Sequence, residues 1–373
     1  MGNVKKPYID NRDMLITLAI PISVIAKLIE HLFLPDKYFY DSNRMLGMVL
    51  GDKNTYAWGG NYEITADIFR SINIFDFTSL LQWSILIGII FDILLLISFI
   101  RLKGLDMLQS IFAFMCVGLC NIYVFNLGKD IIQFAFFALC FVIISIDRIP
   151  TWLKVIGCAA VFYWESTFFR NYYIIMSAFT IGVYAILKVV RQKKIKVNIK
   201  KIILIVGILF VLMYMFLNVA RVFMPEEYDD ILTCKAGTEV MTATTMINDQ
   251  IDFDTNINLY MLNYIINSVR MLFPIELLTG GVFYIPFLAF QILLFLYTYK
   301  NIRNIHKISE KNVVALCVFI AFFMGSVLFE PDFGSFARHE AAAFPIIILF
   351  ALDNLNIIGK EESNQEERVV VYE

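Results

Sequence analysis

The sequence predicts an all-α polytopic membrane protein, with about ten transmembrane helices, one interfacial or re-entrant helix and both termini in the cytoplasm. Of its 373 residues, 59% are hydrophobic and only 17% are charged. In soluble proteins about a quarter of all residues are charged, so this composition excludes a soluble enzyme fold. The net charge of −2 provides no basic field, and we expect no nucleic-acid partner.

Apolar runs of about 17 to 25 residues recur along the chain, and this is the length that an α-helix needs to cross a bilayer. The first run follows basic residues, but it is too long for the apolar part of a signal peptide. We therefore expect it to be a retained first span. The predicted spans are 14–34, 78–100, 105–126, 130–146, 151–169, 171–190, 202–223, 281–299, 313–329 and 341–357.

Basic residues orient these spans, because Lys and Arg concentrate in short cytoplasmic loops. Most of them lie before the first span, in alternate loops between the spans and after the last span. This distribution predicts cytoplasmic termini, with 358–373 forming an acidic cytoplasmic tail.

Two large segments are then predicted on the outer side, 35–77 and 224–280. The second segment contains 258–278, which is apolar enough to cross but includes three asparagines and Arg270, with Pro274 breaking it. A full crossing there would place a basic loop outside. An interfacial or re-entrant helix is the preferred interpretation, and an eleventh span is the alternative.

Cations occur in several predicted outer turns, although outer loops tend to be poor in Lys and Arg. Local salt bridges would explain them pair by pair: Lys129 with Asp130, Glu165 with Arg170, and Arg338 with Glu340. A shared anionic ligand such as pyrophosphate would explain them together. The residues predicted to bind substrate are Arg44, Lys129, Asp130, Arg170, Tyr173, Arg221 and Arg270, and Arg338 is the principal candidate for contacting the pyrophosphate.

His339 is the only histidine on the predicted outer side. It could donate a hydrogen bond to phosphate or move a proton near neutral pH, and its alternative role is a partner for Glu340 or a helix-end cap. The closely spaced Asp249, Asp252 and Asp254 lack the glycine and the final glutamate of an EF-hand, so we predict no metal site and no cofactor.

The first predicted span carries Lys27, Glu30 and His31 on one helix face. Ionisable groups at this depth rarely face lipid, so the face is expected to point into the bundle. An ion pair between Lys27 and Glu30 and a role in lining a substrate cavity are both open. Asp92 lies deeper, in the second span, and its partner cannot be assigned.

Four short stretches carry a family resemblance: YFYDSNRMLGMV in the first outer segment, then NLGKD, FFRNYY and FARHE in later outer turns. With about ten spans, this layout resembles bacterial polysaccharide repeat-unit polymerases, namely O-antigen and capsule polymerases and related exopolysaccharide membrane proteins. The resemblance implies a multi-pass glycosyltransferase of the bacterial cytoplasmic membrane. Such an enzyme transfers a glycan from undecaprenyl pyrophosphate to a sugar hydroxyl of another lipid-linked repeat unit.

The resemblance also implies roles for individual residues. Asp41 or Glu165 would orient and deprotonate the acceptor hydroxyl, while fixed outer cations would stabilise the departing pyrophosphate. We accordingly predict Asp41, Glu165, Arg338 and His339 as catalytic. Trp58, Tyr56 and Tyr62 could stack on sugars or anchor the interface, and a flippase and a chain-length regulator are possible protein partners.

Three alternatives remain open from the sequence. A multi-span glycosyltransferase could use a polyprenyl monophosphate sugar, with Asp36 or Asp41 as base or metal ligand. A membrane acyltransferase would use His339 as its base. A lipid-linked oligosaccharide transporter would need cations along a path through the bundle, rather than at one face.

Overall fold

The computed structural model of the chain describes residues 11–57, 59–100, 102, 105–195, 197–233, 245–253, 256–281 and 284–352. In these residues the secondary structure is helical, with one isolated β-bridge and no β-strand. The prediction of an all-α protein is confirmed. The predicted tail at 358–373, Trp58 and Asp254 lie outside the described residues.

Fifteen α-helices are present in the described part of the chain. A π-helix at Cys120–Val124 extends α5, and 3-10 helices lie at Asp36–Phe39 and Ile275–Gly280. In chain order the α-helices are α1 Arg12–Phe33, α2 Tyr40–Leu50, α3 Gly60–Ile72, α4 Leu80–Ile100, α5 Met107–Leu119, α6 Lys129–Ser145, α7 Thr151–Ser166, α8 Tyr173–Gln192, α9 Ile199–Phe223, α10 Pro225–Thr233, α11 Ile257–Leu272, α12 Ile285–Arg303, α13 Glu310–Phe329, α14 Phe333–Ala342 and α15 Phe344–Ala351.

Seven helices among the described residues are long and apolar enough to cross a membrane, and the broken pair α14 and α15 would make an eighth. The chain is therefore a multi-pass membrane protein. Each of the ten predicted ranges contains a helix, but α6 and α7, with 17 and 16 residues, are shorter than the seven. Ten spans and cytoplasmic termini remain predictions.

Sequence signals for helix ends are visible where the loops are short. Asp106 and Gln109 form a reciprocal capping box at the start of α5. Asn198 and Ser309 cap α9 and α13 by accepting hydrogen bonds from backbone amides. Gly51 ends α2 in the left-handed conformation, with φ at 74°, which glycine adopts without steric cost.

The fold divides into two compact units, one formed by residues up to 138 and from 341 onwards, and the other by 139–340. In unit 1, α1 packs against α4 and α5, and α2 packs against α3. In unit 2, α8 packs against α7 and α13. Helix α13 forms the core of unit 2, because 83% of its most apolar 18-residue stretch is buried. In α9 only 17% of the corresponding stretch is buried. Exposed apolar helix faces of this kind are what lipid covers.

Candidate functional site

The strongest concentration of buried charge in unit 2 is a set of five side chains that we call the Arg170 cluster. It consists of Glu165, Arg170, Tyr172, Glu330 and His339. Glu165 lies in the last turn of α7. Arg170 and Tyr172 lie in the tight turn that leads to α8, where the amide of Phe169 donates to the Glu165 carbonyl at 2.9 Å. Glu330 follows α13, and His339 lies on α14.

Hydrogen bonds join four of these side chains into a chain. Arg170 Nη2 lies 3.1 Å from His339 Nε2, and Arg170 Nη1 donates to the Tyr172 hydroxyl at 3.1 Å. His339 Nδ1 lies 2.5 Å from Glu330 Oε1. A guanidinium can only donate, so His339 Nε2 accepts and Nδ1–H donates to the carboxylate. Both ring nitrogens of His339 are therefore engaged with protein groups, and the imidazole orients Arg170.

Burial makes this chain of hydrogen bonds energetically important. Arg170 is 5% exposed and Glu330 is 4% exposed. Ions that are removed from water are tolerated only when they are paired and hydrogen-bonded, and here the imidazole connects the cation to the anion. The predicted alternative for His339, pairing with Glu340, does not occur, because the buried Glu340 carboxylate instead accepts from Gln291.

Glu165 and Tyr173 stand apart from that chain. Both are fully buried, and neither the Glu165 carboxylate oxygens nor the Tyr173 hydroxyl has a hydrogen-bond partner in the described part of the protein. Buried polar atoms without partners are rare in folded proteins. The local salt bridge predicted between Glu165 and Arg170 is not formed, because neither carboxylate oxygen of Glu165 has a partner among the described residues. Glu165 therefore keeps its acceptor capacity unused.

Arg338 precedes His339 but is only half-buried, so it reaches the surface of unit 2. Its Nη2 donates to Ser335 Oγ at 3.3 Å. Ser335 also binds Asp332, whose carboxylate accepts from the Ser335 amide and hydroxyl at 2.9 Å each and thereby caps α14. The region predicted as an outer turn is thus a capped helix, and Gly334 lies inside it without a left-handed backbone.

Three polar residues on one face of helix α11 hold the non-helical segment 248–251 in place. Asn263 accepts from the amides of Gln250 and Ile251 and donates to the Ile251 carbonyl, and Asn267 donates to Asp249 at 2.7 Å. Arg270 donates to the Asn248 carbonyl at 2.6 Å. These contacts fix the backbone of 248–251.

Residues 245 and 247, just before that segment, fix the start of α14. The Ile247 amide donates to the Pro331 carbonyl at 2.8 Å, and the Phe333 amide donates to the Thr245 carbonyl at 3.0 Å. Arg270 also forms a two-bond pair with Glu276, at 2.9 and 2.6 Å. Arg270 thus makes these contacts within the protein, and its predicted role in binding substrate stays a prediction.

Four of the predicted site residues lie in unit 1. The Tyr62 hydroxyl donates to Asp41 at 3.1 Å, and Lys129 Nζ lies 3.8 Å from the centre of the Tyr62 ring. Asp130, beside Lys129, is buried. Arg44 donates to the Tyr56 carbonyl at 2.8 Å, and its guanidinium lies over the Tyr56 ring. Tyr62 thus joins Asp41 to Lys129, which sequence spacing could not predict.

In unit 2, the structure brings together Glu165, Arg170, Tyr173 and His339, with Arg338 beside them on α14. Arg221 is exposed near the end of α9, outside this group. Glu330 completes the Arg170 cluster, although the sequence analysis assigned it no role. An acidic residue directly after an apolar helix is the only sequence signal that could have identified it.

A second buried polar network lies inside unit 1. Lys27 Nζ is within 2.6 to 3.0 Å of four oxygen atoms, on Glu30, Ser84, Asn121 and Phe125. The two carbonyls belong to the π-helix and the residue after it, where the widened turn gives Lys27 access to backbone acceptors. The predicted Lys27 to Glu30 ion pair is confirmed.

Asp92, left without a partner by the sequence analysis, accepts from the Asn121 side chain at 2.9 Å. In the described residues no group of three or more His, Cys, Asp or Glu side chains could hold a metal ion. No protein-family model, curated protein or solved structure matches this chain.

Proposed function

We propose that the chain is a membrane glycosyltransferase that polymerises oligosaccharide repeat units carried on undecaprenyl pyrophosphate, at the outer leaflet of the bacterial cytoplasmic membrane. The acceptor hydroxyl forms a bond to the anomeric carbon of the donor glycan. The bond from that carbon to the pyrophosphate oxygen breaks, the hydroxyl proton passes to a carboxylate, and undecaprenyl pyrophosphate leaves as an anion. A flippase and a chain-length regulator would be its partners.

The observation that supports this proposal best concerns two arginines of unit 2. Arg338 is half-buried at the surface, and Arg170 is buried and oriented by hydrogen bonds. Arg338 is half-buried on α14, next to His339, whose imidazole contacts Arg170. A departing pyrophosphate needs fixed positive charge that does not have to reorganise during the reaction. Arg338 would supply forked donors to phosphate oxygens, while the contact of its neighbour His339 with the buried Arg170 holds α14 in place.

Glu165 is the base that we propose for the acceptor hydroxyl. Its two carboxylate oxygens are buried and have no hydrogen-bond partner, so they can accept a proton without first breaking a protein contact. His339 already uses both ring nitrogens, towards Glu330 and Arg170, and serves as a positioning residue in this scheme. This use of His339 also weakens the acyltransferase alternative, which needs a free imidazole nitrogen.

Unit 1 offers a separate surface for sugar hydroxyls. Asp41 accepts from the Tyr62 hydroxyl and Lys129 lies over the Tyr62 ring, so the buried tyrosine holds a half-buried carboxylate and a half-buried ammonium that can bind sugar hydroxyls. Arg44, held between the rings of Tyr40 and Tyr56, adds a cation to the same outer segment. We propose that these residues bind glycan and take no part in bond breaking.

The test is polymerisation by the purified protein in proteoliposomes supplied with a lipid-linked repeat unit. Wild-type protein should produce a ladder of products and release undecaprenyl pyrophosphate, while Glu165→Gln should reduce the rate by about 10²- to 10⁴-fold, which is typical for loss of a general base. Use of a polyprenyl monophosphate sugar, with no ladder from the pyrophosphate donor, would favour the alternative glycosyltransferase. Movement of the intact lipid across the membrane without bond formation would favour the transporter.

A further inference from the structure

An apolar groove of about 510 Å³ separates α8 from α9 over part of their length. Nine of its ten lining residues are apolar, among them Ile186, Val190, Leu204 and Ile208, and the tenth is Lys201. The two helices belong to unit 2, so the groove is a feature of one compact body. Its location predicts an apolar occupant, because an open apolar groove on a membrane protein faces lipid.

The groove extends along α8 and α9 to the loop that joins them. Farther from the loop, α8 and α9 meet through Phe179 and Phe216, whose ring centres are 5.9 Å apart. Between this contact and the loop, the groove is lined by 185–190 on α8 and 201–208 on α9. A long, thin apolar chain could therefore enter from the loop side and lie between the helices as far as the two rings.

The mouth of the groove is strongly basic. Lys193, Lys194 and Lys200 are exposed on the loop and on the first turn of α9. His306 Nε2 lies 2.7 Å from the Ile195 carbonyl, so the loop after α12, with the exposed Arg303, is held beside the same mouth. The N-terminus of α9 adds the positive end of a helix dipole.

Acidic residues nearby are engaged with other cations. Glu310 pairs with Arg191 at 3.0 Å, and Asp147 pairs with Lys311 at 2.7 Å. The Lys311 ammonium lowers the pKa of the Asp147 carboxyl, which therefore stays ionised and bound to its own lysine. The three exposed lysines at the mouth are thus available to an anion that arrives from the bilayer.

We propose that this groove binds one anionic phospholipid, with an acyl chain between α8 and α9 and its headgroup phosphate on Lys193, Lys194 and Lys200. The match is between chemical classes: an apolar chain fits the lining, and a net negative headgroup fits the mouth. A zwitterionic phospholipid offers the same chain without net charge. The site is independent of the proposed glycosyl transfer, since it shares no residue with the Arg170 cluster.

The experiment measures lipid bound to the purified full-length protein by native mass spectrometry, in detergent micelles containing equal amounts of phosphatidylglycerol and phosphatidylcholine. We expect one phosphatidylglycerol to be retained in preference to phosphatidylcholine. The triple variant Lys193→Gln, Lys194→Gln, Lys200→Gln should lose most of that preference, on the order of 100-fold, since each basic residue near an anionic surface contributes about 1 kcal/mol. Lys53→Gln, an exposed lysine of unit 1, is the control and should retain it.

A second pair of variants tests the groove itself. Ala185→Trp places a large ring among the lining residues and should exclude the acyl chain, lowering retention of both lipids. Ile203→Trp changes an exposed residue of α9 that does not line the groove, and it should retain lipid as wild-type protein does. Thermal unfolding of all variants shows whether they remain folded.

Four results would overturn the proposal. Equal retention of the two phospholipids would mean that the basic mouth selects nothing. If the folded triple variant kept its preference for phosphatidylglycerol, the bound lipid would lie elsewhere. Normal lipid retention by folded Ala185→Trp would lead to the same conclusion. Displacement of phosphatidylglycerol by sub-equimolar polyprenyl phosphate would identify the occupant as the isoprenoid carrier instead.

Discussion

Arg338→Gln and His339→Phe change neighbouring residues of α14, and we expect them to fail in different ways. Arg338 is half-buried at the surface of unit 2, whereas His339 connects two buried charges. If Arg338 binds pyrophosphate, its loss should reduce activity without reducing stability. If His339 is a positioning residue, its loss should reduce both.

The magnitude for His339 follows from its two ring nitrogens. Each makes a hydrogen bond to a charged group, towards Glu330 at 2.5 Å and Arg170 at 3.1 Å. Such bonds contribute about 1.5 to 3 kcal/mol each, so His339→Phe, which keeps a ring but removes both nitrogens, should cost about 3 to 6 kcal/mol of unfolding free energy.

Arg338 should contribute much less to stability. Its guanidinium is partly solvated, which screens its contacts, so Arg338→Gln should cost clearly less unfolding free energy than His339→Phe. In the reaction, loss of charge-assisted hydrogen bonds to the leaving group should raise the barrier by about 1.5 to 3 kcal/mol, which corresponds to roughly 10- to 150-fold in rate. Arg338→Lys keeps the charge but loses the fork, and it should be intermediate.

Two measurements on the same purified samples separate these effects: thermal unfolding in detergent, and the initial rate of polymerisation in proteoliposomes. Lys53→Gln removes an exposed cation of unit 1 and serves as the matched control. Early unfolding of Arg338→Gln, to the extent seen with His339→Phe, would make Arg338 a structural residue. Full activity of folded Arg338→Gln would remove the surface cation from the proposed mechanism.

The remaining predictions concern the unit 1 network, the topology and α11. Lys27→Met should lower the unfolding free energy by about 3 to 5 kcal/mol, because Glu30 would keep a buried charge without its cation. Adding Glu30→Leu should recover most of this loss, as measured by thermal unfolding. No recovery would mean that the ion pair is not the source of the loss. Cysteine at position 338 should react with an impermeant thiol reagent in intact cells and cysteine at 194 should not, and the reverse labelling would invert the predicted topology. Arg270→Leu should increase hydrogen exchange in the segment that α11 holds and reduce polymerisation while substrate affinity stays near normal; an altered affinity alone would return Arg270 to substrate binding.

Helix positions in the apolar part of the chain were predictable because they depend on one local quantity, the length of an apolar run. The prediction at 78–100 corresponds to α4 at Leu80–Ile100, and that at 171–190 corresponds to α8 at Tyr173–Gln192. Helices with a polar face were harder to predict. Helix α14 was expected to be an outer turn, because hydropathy measures the length of an apolar run and Phe333–Ala342 contains Arg338, His339 and Glu340.

The candidate site was predictable as a set of residue types but not as an arrangement. Arg170, Arg270 and Arg338 all occur in segments between predicted spans, and nothing in their spacing separates them. In the structure, the first is buried against His339, the second is paired with Glu276, and the third is half-exposed. These differences arise from partners 6 to 169 positions away in the chain, which a local pattern does not encode.

The arrangement also explains why an apolar helix such as α11 carries amides at intervals of one turn. Asn263, Asn267 and Arg270 would be costly on a helix that crossed lipid, because each would need a polar partner there. Their partners are the backbone and Asp249 of 248–251, and residues 245 and 247, just before that segment, bond to residues 333 and 331 at the start of α14. A helix that spanned the membrane by itself would need none of these contacts. The polar face of α11 is therefore best explained as the support that sets the position of α14, and with it the position of Arg338 and His339.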